Sequence, residues 1–182
     1  MSLVGYENFK LARRRLEGEA EQKIVKAGSG KGRGWKKPGG LQLKANFDTV
    51  ISVASRCMGV GVVIRDCNGD VFAAKCAKRP YSCHAFVVEC TALWEAMVLC
   101  EDLGLRGMVF EGDAKCVIDA VKRHVMDDSK FGHLVEGLQQ KLKMYNRWEV
   151  GFVHREGNEV AHQLAKMAMF GDDDVYWIEE GP

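Results

Sequence analysis

MGVGVVIRDCNGDVFAAKCAK (58–78) is the stretch that decides the fold. Two apolar runs rich in Val and Ala flank Asn68-Gly69, a pair suited to a tight hairpin because both turn positions need positive φ. Upstream, LQLKANFDTVI (41–51) alternates apolar and polar residues, with Leu41, Leu43, Ala45 and Phe47 on one face, so it predicts a strand. The three segments form a predicted β-meander.

Downstream of RPYSCH (79–84) the period changes. FVVECTALWEAMVLCEDLG (86–104) holds apolar residues at helical spacing and meets its first glycine at Gly104, a helix stop. GMVFEG (107–112) predicts a short strand, and DAKCVIDAVKRH (113–124) a helix with Asp113 as a natural N-cap. FGHLVEGLQQKLKMYN (131–146) predicts a further helix, WEVGFVH (148–154) a strand, and NEVAHQLAKMAMFG (158–171) a last helix capped by Asn158. The order β-β-β-α-β-α-α-β-α predicts an α/β fold, a mixed five-stranded sheet with helices packed on it.

The chain has 182 residues, enough for one domain with a real core and too few for two comfortable ones. Residues 41–171 are the expected domain. Residues 1–40 form a basic segment in which 6–26 predicts a charged helix and AGSGKGRGWKKPGG (27–40) a flexible linker. Residues 172–182, DDDVYWIEEGP, are the expected acidic tail. Charge divides along the same lines: residues 1–40 carry +6 and residues 41–182 carry −5, so the domain lacks the strong basic footprint of a tight nucleic-acid binder. No apolar run reaches the roughly 18 residues of a membrane helix, and no secretory leader is expected at the N-terminus. Seven cysteines without a CxxC pair indicate reduced thiols in an intracellular protein, nuclear or cytoplasmic. The ARRR cluster (12–15) is a weak nuclear-type address.

Three carboxylates sit where the apolar pattern does not want them. Glu89 falls on the stripe of Ala85, Ala92, Leu93, Ala96 and Cys100, where a carboxylate costs several kcal/mol unless paired or metal-bound. The plain alternative is a Glu at the stripe's edge, paired with an Arg. Asp48 interrupts a predicted strand, although an edge or turn position would also explain it. Asp113 ends a strand, where helix capping is the ordinary role. Jointly they mean more, because clustered acids repel one another and a hard divalent cation resolves that repulsion. If they form a metal site, the three must converge to within about 4–6 Å.

The blocks WKKPGGLQLKANFD (35–48), GVVIRDCNGD (61–70), VECTALWEAMVLCEDLG (88–104), FEGDAKCVIDAV (110–121) and FVHREGNEVAHQLAKMA (152–168) together resemble the ribonuclease H-like superfamily. They are similar to its plant-type, reverse-transcriptase-like ribonuclease H domains. The resemblance implies a metal-dependent endonuclease acting on the RNA strand of an RNA–DNA hybrid, with two Mg²⁺ ions, or Mn²⁺, as cofactor. Asp48 would bridge both ions, Glu89 and Asp113 would complete the first ion's coordination, and His154 would match a mobile histidine that shuttles protons or assists product release. His154 read from its turn alone is a surface residue.

The pattern departs from that family at two places. His162 stands where the best-understood members have a fourth carboxylate, so the resemblance makes it a catalytic residue and fourth metal ligand, although imidazole is a poorer Mg²⁺ ligand. Thr49 follows the first Asp where Gly is common, and a β-branched side chain narrows the approach of a nucleic-acid backbone. The basic 1–40 segment supplies attraction to phosphate. Lys141, Lys143 and Arg147 form either a small basic edge or a solvated helix face. The leading reading is a hybrid-specific ribonuclease acting as a monomer, away from membranes. The alternatives are a nucleic-acid-binding module of retroelement origin without useful catalysis, and a protein-interaction scaffold on the same fold.

Overall fold

The computed structural model describes residues 34–81, 84–123, 130–145 and 147–178. Its elements are β1 (Leu43–Ser52), β2 (Cys57–Arg65), β3 (Val71–Pro80), α1 (Ala85–Asp102), β4 (Met108–Gly112), α2 (Lys115–Lys122), α3 (Gly132–Met144), β5 (Glu149–Phe152), α4 (Arg155–Ala168) and β6 (Val175–Ile178). The expected meander is present. At its β2–β3 turn the Asp66 carboxylate accepts the backbone N–H groups of Asn68, Gly69 and Asp70 at 2.8–2.9 Å, and Gly69 takes φ 95°. Gly104, at φ 64°, ends α1, and the amide of Leu105 reaches back to the carbonyl of Cys100 at 2.9 Å.

One mixed sheet runs in the order β5-β4-β1-β2-β3-β6. β1, β2, β3 and β6 pair antiparallel, while β4 pairs parallel with both β1 and β5. Every residue of β2 is buried, which explains its unbroken apolar run: both faces of the strand are covered. One face carries the larger core, where Phe47, Val60 and Val62 meet Leu93 and Met97 of α1 and Ile118 of α2. The other lies under α4 and contains Val63, Ala74, Cys76, Ala161, Leu164 and Trp177.

The second face depends on two glycines. A Cβ on Gly59 would sit 2.0 Å from the carbonyl oxygen of Ala165, and one on Gly61 would sit 2.2 Å from that of Ala161. The helix backbone therefore rests directly on β2, at a distance no other residue permits.

The structure departs from the sequence reading in four respects. The sheet has six strands, because VYWI in the expected tail pairs with β3 from Ala73↔Ile178 to Cys76↔Val175. These are strong strand formers, and Trp177 buries its ring, but the acidic residues around them disguised the strand. The expected linker is also part of the domain from residue 34, since Trp35 donates from Nε1 to Asn46 Oδ1 at 2.8 Å and lies under the Arg65 guanidinium, 4.6 Å from the ring centroid. Asp113 and Asn158 are not caps: the helices start at Lys115 and Arg155, with Ala114 and His154 at the cap positions. Finally, Lys141 is not a free cation, since it pairs with Glu101 and lies over Trp94. The expected helix over 6–26 and the ARRR cluster lie outside the described residues. Among the described residues six cysteines are free, four of them buried, and no helix is long and apolar enough to cross a membrane.

The glycine contact generates a direct prediction. Gly61→Ala forces a methyl group into the α4 backbone, so urea unfolding should show a loss of roughly 1–3 kcal/mol or more, the usual cost of overpacking. An unchanged midpoint would contradict the contact.

Candidate active site

β1 and β4 lie side by side in parallel, with Asn46 opposite Glu111. Carried two residues further along both strands, that register brings Asp48 level with Asp113. α1 crosses the same end of the sheet and contributes Glu89 from its second turn. One carboxylate oxygen from each of Asp48, Glu89 and Asp113 lies within 4.8 Å of the other two, as a shared cation requires.

Hydrogen bonds fix the oxygens individually. Asp48 is buried, its Oδ1 accepts the Thr49 amide at 2.8 Å, and its Oδ2 lies 2.8 Å from His162 Nδ1. Glu89 Oε1 accepts the Thr49 hydroxyl at 2.7 Å, while Oε2 is buried without a hydrogen-bond partner among the described residues. Asp113 turns its Oδ2 toward Arg155 Nη1, at 3.3 Å, in place of capping α2. An orphaned carboxylate oxygen beside two further carboxylates is a donor set suited to a hard divalent cation.

The electrostatics record the cost of this grouping. Burial, reinforced by the Asp113 charge, pushes the Asp48 carboxyl up to about 6 against the pull of the Thr49 amide and His162. Burial raises Glu89 to about 7, with the Asp48 and Asp113 charges acting the same way and the Thr49 hydroxyl opposing them. Glu89 is therefore not the Arg-paired edge residue of the plain structural alternative.

His162 is held at the site and His154 is not. The His154 ring is exposed and packs edge-on against Phe152, with centroids 5.2 Å apart. Its neighbour Arg155 reaches the cluster, with Nη2 3.2 Å from His162 Nε2. The same Nη2 is 3.3 Å from Nδ1, the ring nitrogen that faces Asp48, so the guanidinium lies against the whole imidazole edge rather than one nitrogen. Asn158, one turn further, is buried and donates from Nδ2 to the Phe47 carbonyl at 2.9 Å, tying α4 to the strand residue before Asp48. The sequence reading missed Arg155 and the tying role of Asn158. The available signal was spacing: 155, 158 and 162 fall on one face of a helix, but VHREGN read as a loop. Thr49, expected to obstruct, spends its side chain on Glu89.

Residues 46–168 match the family model described as Reverse transcriptase-like. The chain belongs to that family. No curated protein matches it in sequence. Among solved structures, this reverse transcriptase-like chain is similar to RNase H1 from the halophilic archaeon Halobacterium salinarum, with 20% identity, a TM-score of 0.59, and coverage of 71% of this chain and 98% of that one. It is also similar to the N-terminal RNase H domain of a Mycobacterium tuberculosis protein, with 19% identity, a TM-score of 0.61 and coverage of 72% and 95%. A third, LC11-RNase H1, isolated from compost by a metagenomic approach and crystallised in complex with an RNA/DNA hybrid, gives 16% identity, a TM-score of 0.61 and coverage of 70% and 96%. The fold is ribonuclease H-like.

A pH dependence follows from the two raised carboxyls. Both bind protons more tightly folded than unfolded, so without metal the folded state holds more protons between about pH 4 and 7. Their contribution therefore lowers stability as pH rises through that window, and the loss persists above it. Glu89→Gln removes one source, and metal-free thermal or urea unfolding should show the variant more stable than the parent by about 1–3 kcal/mol at pH 8. At pH 4 the gain should vanish. Equal or lower stability of the variant at pH 8 would count against the uncompensated burial of Glu89.

Proposed function

We propose that this protein is a divalent-metal-dependent endonuclease that hydrolyses the RNA strand of RNA–DNA hybrids. The convergence of Asp48, Glu89 and Asp113 within 4.8 Å, with Glu89 Oε2 unpartnered, carries the reading. Family membership and the likeness to RNase H structures, one of them in complex with an RNA/DNA hybrid, support it.

Asp48, Glu89 and Asp113 would hold Mg²⁺ or Mn²⁺, which when bound supplies an activated water and charge stabilisation at the leaving oxygen. The other tasks fall to this chain's own side chains. Thr49 orients Glu89 through its hydroxyl and Asp48 through its amide, and His162 fixes the second oxygen of Asp48. Arg155, with a side chain 60% exposed, presents a permanent positive charge to a phosphate entering the site. His154, exposed beside it, is the group we assign to proton transfer at the leaving oxygen. RNA would be distinguished by its 2′-hydroxyls along the minor groove.

A second reading, nucleic-acid binding without useful catalysis, is favoured by His162 at the position of a fourth carboxylate. Incubation of a labelled RNA–DNA hybrid with Mg²⁺ or Mn²⁺ separates the two, with Asp113→Asn as control. The nuclease reading expects hybrid cleavage reduced at least a hundredfold, roughly 3 kcal/mol of barrier, in the variant. Retained hybrid binding with no cleavage above the control in either metal would establish the second reading in its place.

A further inference from the structure

Charge around the three carboxylates does not balance as it would for a pair of divalent ions. Fully ionised, Asp48, Glu89 and Asp113 carry three negative charges. Arg155 returns one positive charge, with Nη1 3.3 Å from Asp113 Oδ2 and Nη2 3.2 Å from His162 Nε2. His162 stands where a fourth carboxylate would, and it adds no negative charge. The remainder is at most two negative charges, which a single divalent cation neutralises. A second divalent ion would leave the site with a net positive charge, in contact with a guanidinium that no accessible pH deprotonates.

The ligand atoms agree with the charge. Of the oxygens of these three carboxylates, Glu89 Oε2 is buried without a hydrogen-bond partner among the described residues, and it marks one place for a cation. The His162 ring cannot replace a carboxylate without loss, because Mg²⁺ prefers oxygen ligands.

We propose that the site takes one divalent cation, seated among Asp48, Glu89 and Asp113, and that Arg155, held on His162, supplies the positive charge a second ion would bring. The inference rests on the metal-site part of the proposed function and departs from the two ions that the family resemblance implies. Arg155 is here a charged partner of the site built into the first turn of α4, and Asn158 and the glycine contact keep that turn in place.

Ion counting tests it directly. Full-length protein is titrated with MnCl₂ by calorimetry, with free Mn²⁺ followed by its electron paramagnetic resonance signal. The count is of ions lost in Asp48→Asn combined with Glu89→Gln. One such ion per chain is expected in the wild type. Arg155→Gln should bind that ion roughly tenfold more tightly, since a like charge a few ångströms away has been removed. Arg155→Gln combined with His162→Asp should bind two. Two site-specific ions in the wild type, or an affinity unchanged by Arg155→Gln, would overturn the proposal; the single variant also decides the matter if the double variant does not fold. Hybrid cleavage is read separately. Two ions with cleavage removes this inference and keeps the nuclease, while one ion without cleavage does the reverse.

Discussion

The contact on which the site depends is that of α4 against β2 across Gly59 and Gly61. No side chain separates the helix backbone from the strand there, and Gly61 is the residue paired with Asp48 on β1. Because α4 comes down onto the sheet, Asn158 can reach the Phe47 carbonyl and His162 can reach Asp48 Oδ2. Raising the helix by the width of one methyl group would lengthen both bonds past any useful distance. The helix also starts where it does for this reason. With Asn158 spent on β1, its first turn extends back to Arg155, which puts a guanidinium beside Asp113.

Two charge clusters within the same sheet show what is unusual about the site. At the β3–β6 edge, Lys75 is buried, but its Nζ bonds Glu95 Oε2 at 2.5 Å. Arg79 bonds the other Glu95 oxygen at 2.6 Å and grips Asp174 with two bonds at 2.6 and 2.7 Å. Each of these acids has a cation and each cation has an acid, as a buried ionic cluster must if it is not to destabilise the fold. At the interior strands β1 and β4 three carboxylates share one exposed arginine, and burial raises the Asp48 and Glu89 carboxyls. A fold that balances charge at its β3–β6 edge and leaves a deficit at the interior strands β1 and β4 points to a ligand for the deficit.

Local chemistry was legible in the sequence wherever one physical role dominated. Gly69 turned the hairpin and Gly104 ended a helix, because positive φ leaves few alternatives. The joint placement of Asp48, Glu89 and Asp113 was also readable, since three acids out of pattern are hard to explain separately. Residues with two good roles were misread. Asp113 and Asn158 are ideal caps by type, yet tertiary contacts outbid capping for both, one by facing the carboxylates and the other by bonding Phe47. Trp35 was hidden in a Gly- and Lys-rich run, and VYWI among acids, because composition over a window outweighed single aromatic residues that bury themselves. Thr49 was read by its bulk, whereas its hydroxyl decides its role.

The central claim is that the deficit among Asp48, Glu89 and Asp113 is filled by a divalent cation. Amide spectra of the ¹⁵N-labelled protein during a substoichiometric Mn²⁺ titration test it without reference to any reaction. Paramagnetic broadening should appear first at Thr49, Glu89 and Asp113 and be lost in Asp48→Asn. Broadening that begins at the exposed acids Asp172 and Asp173 and leaves those three amides sharp would contradict the account.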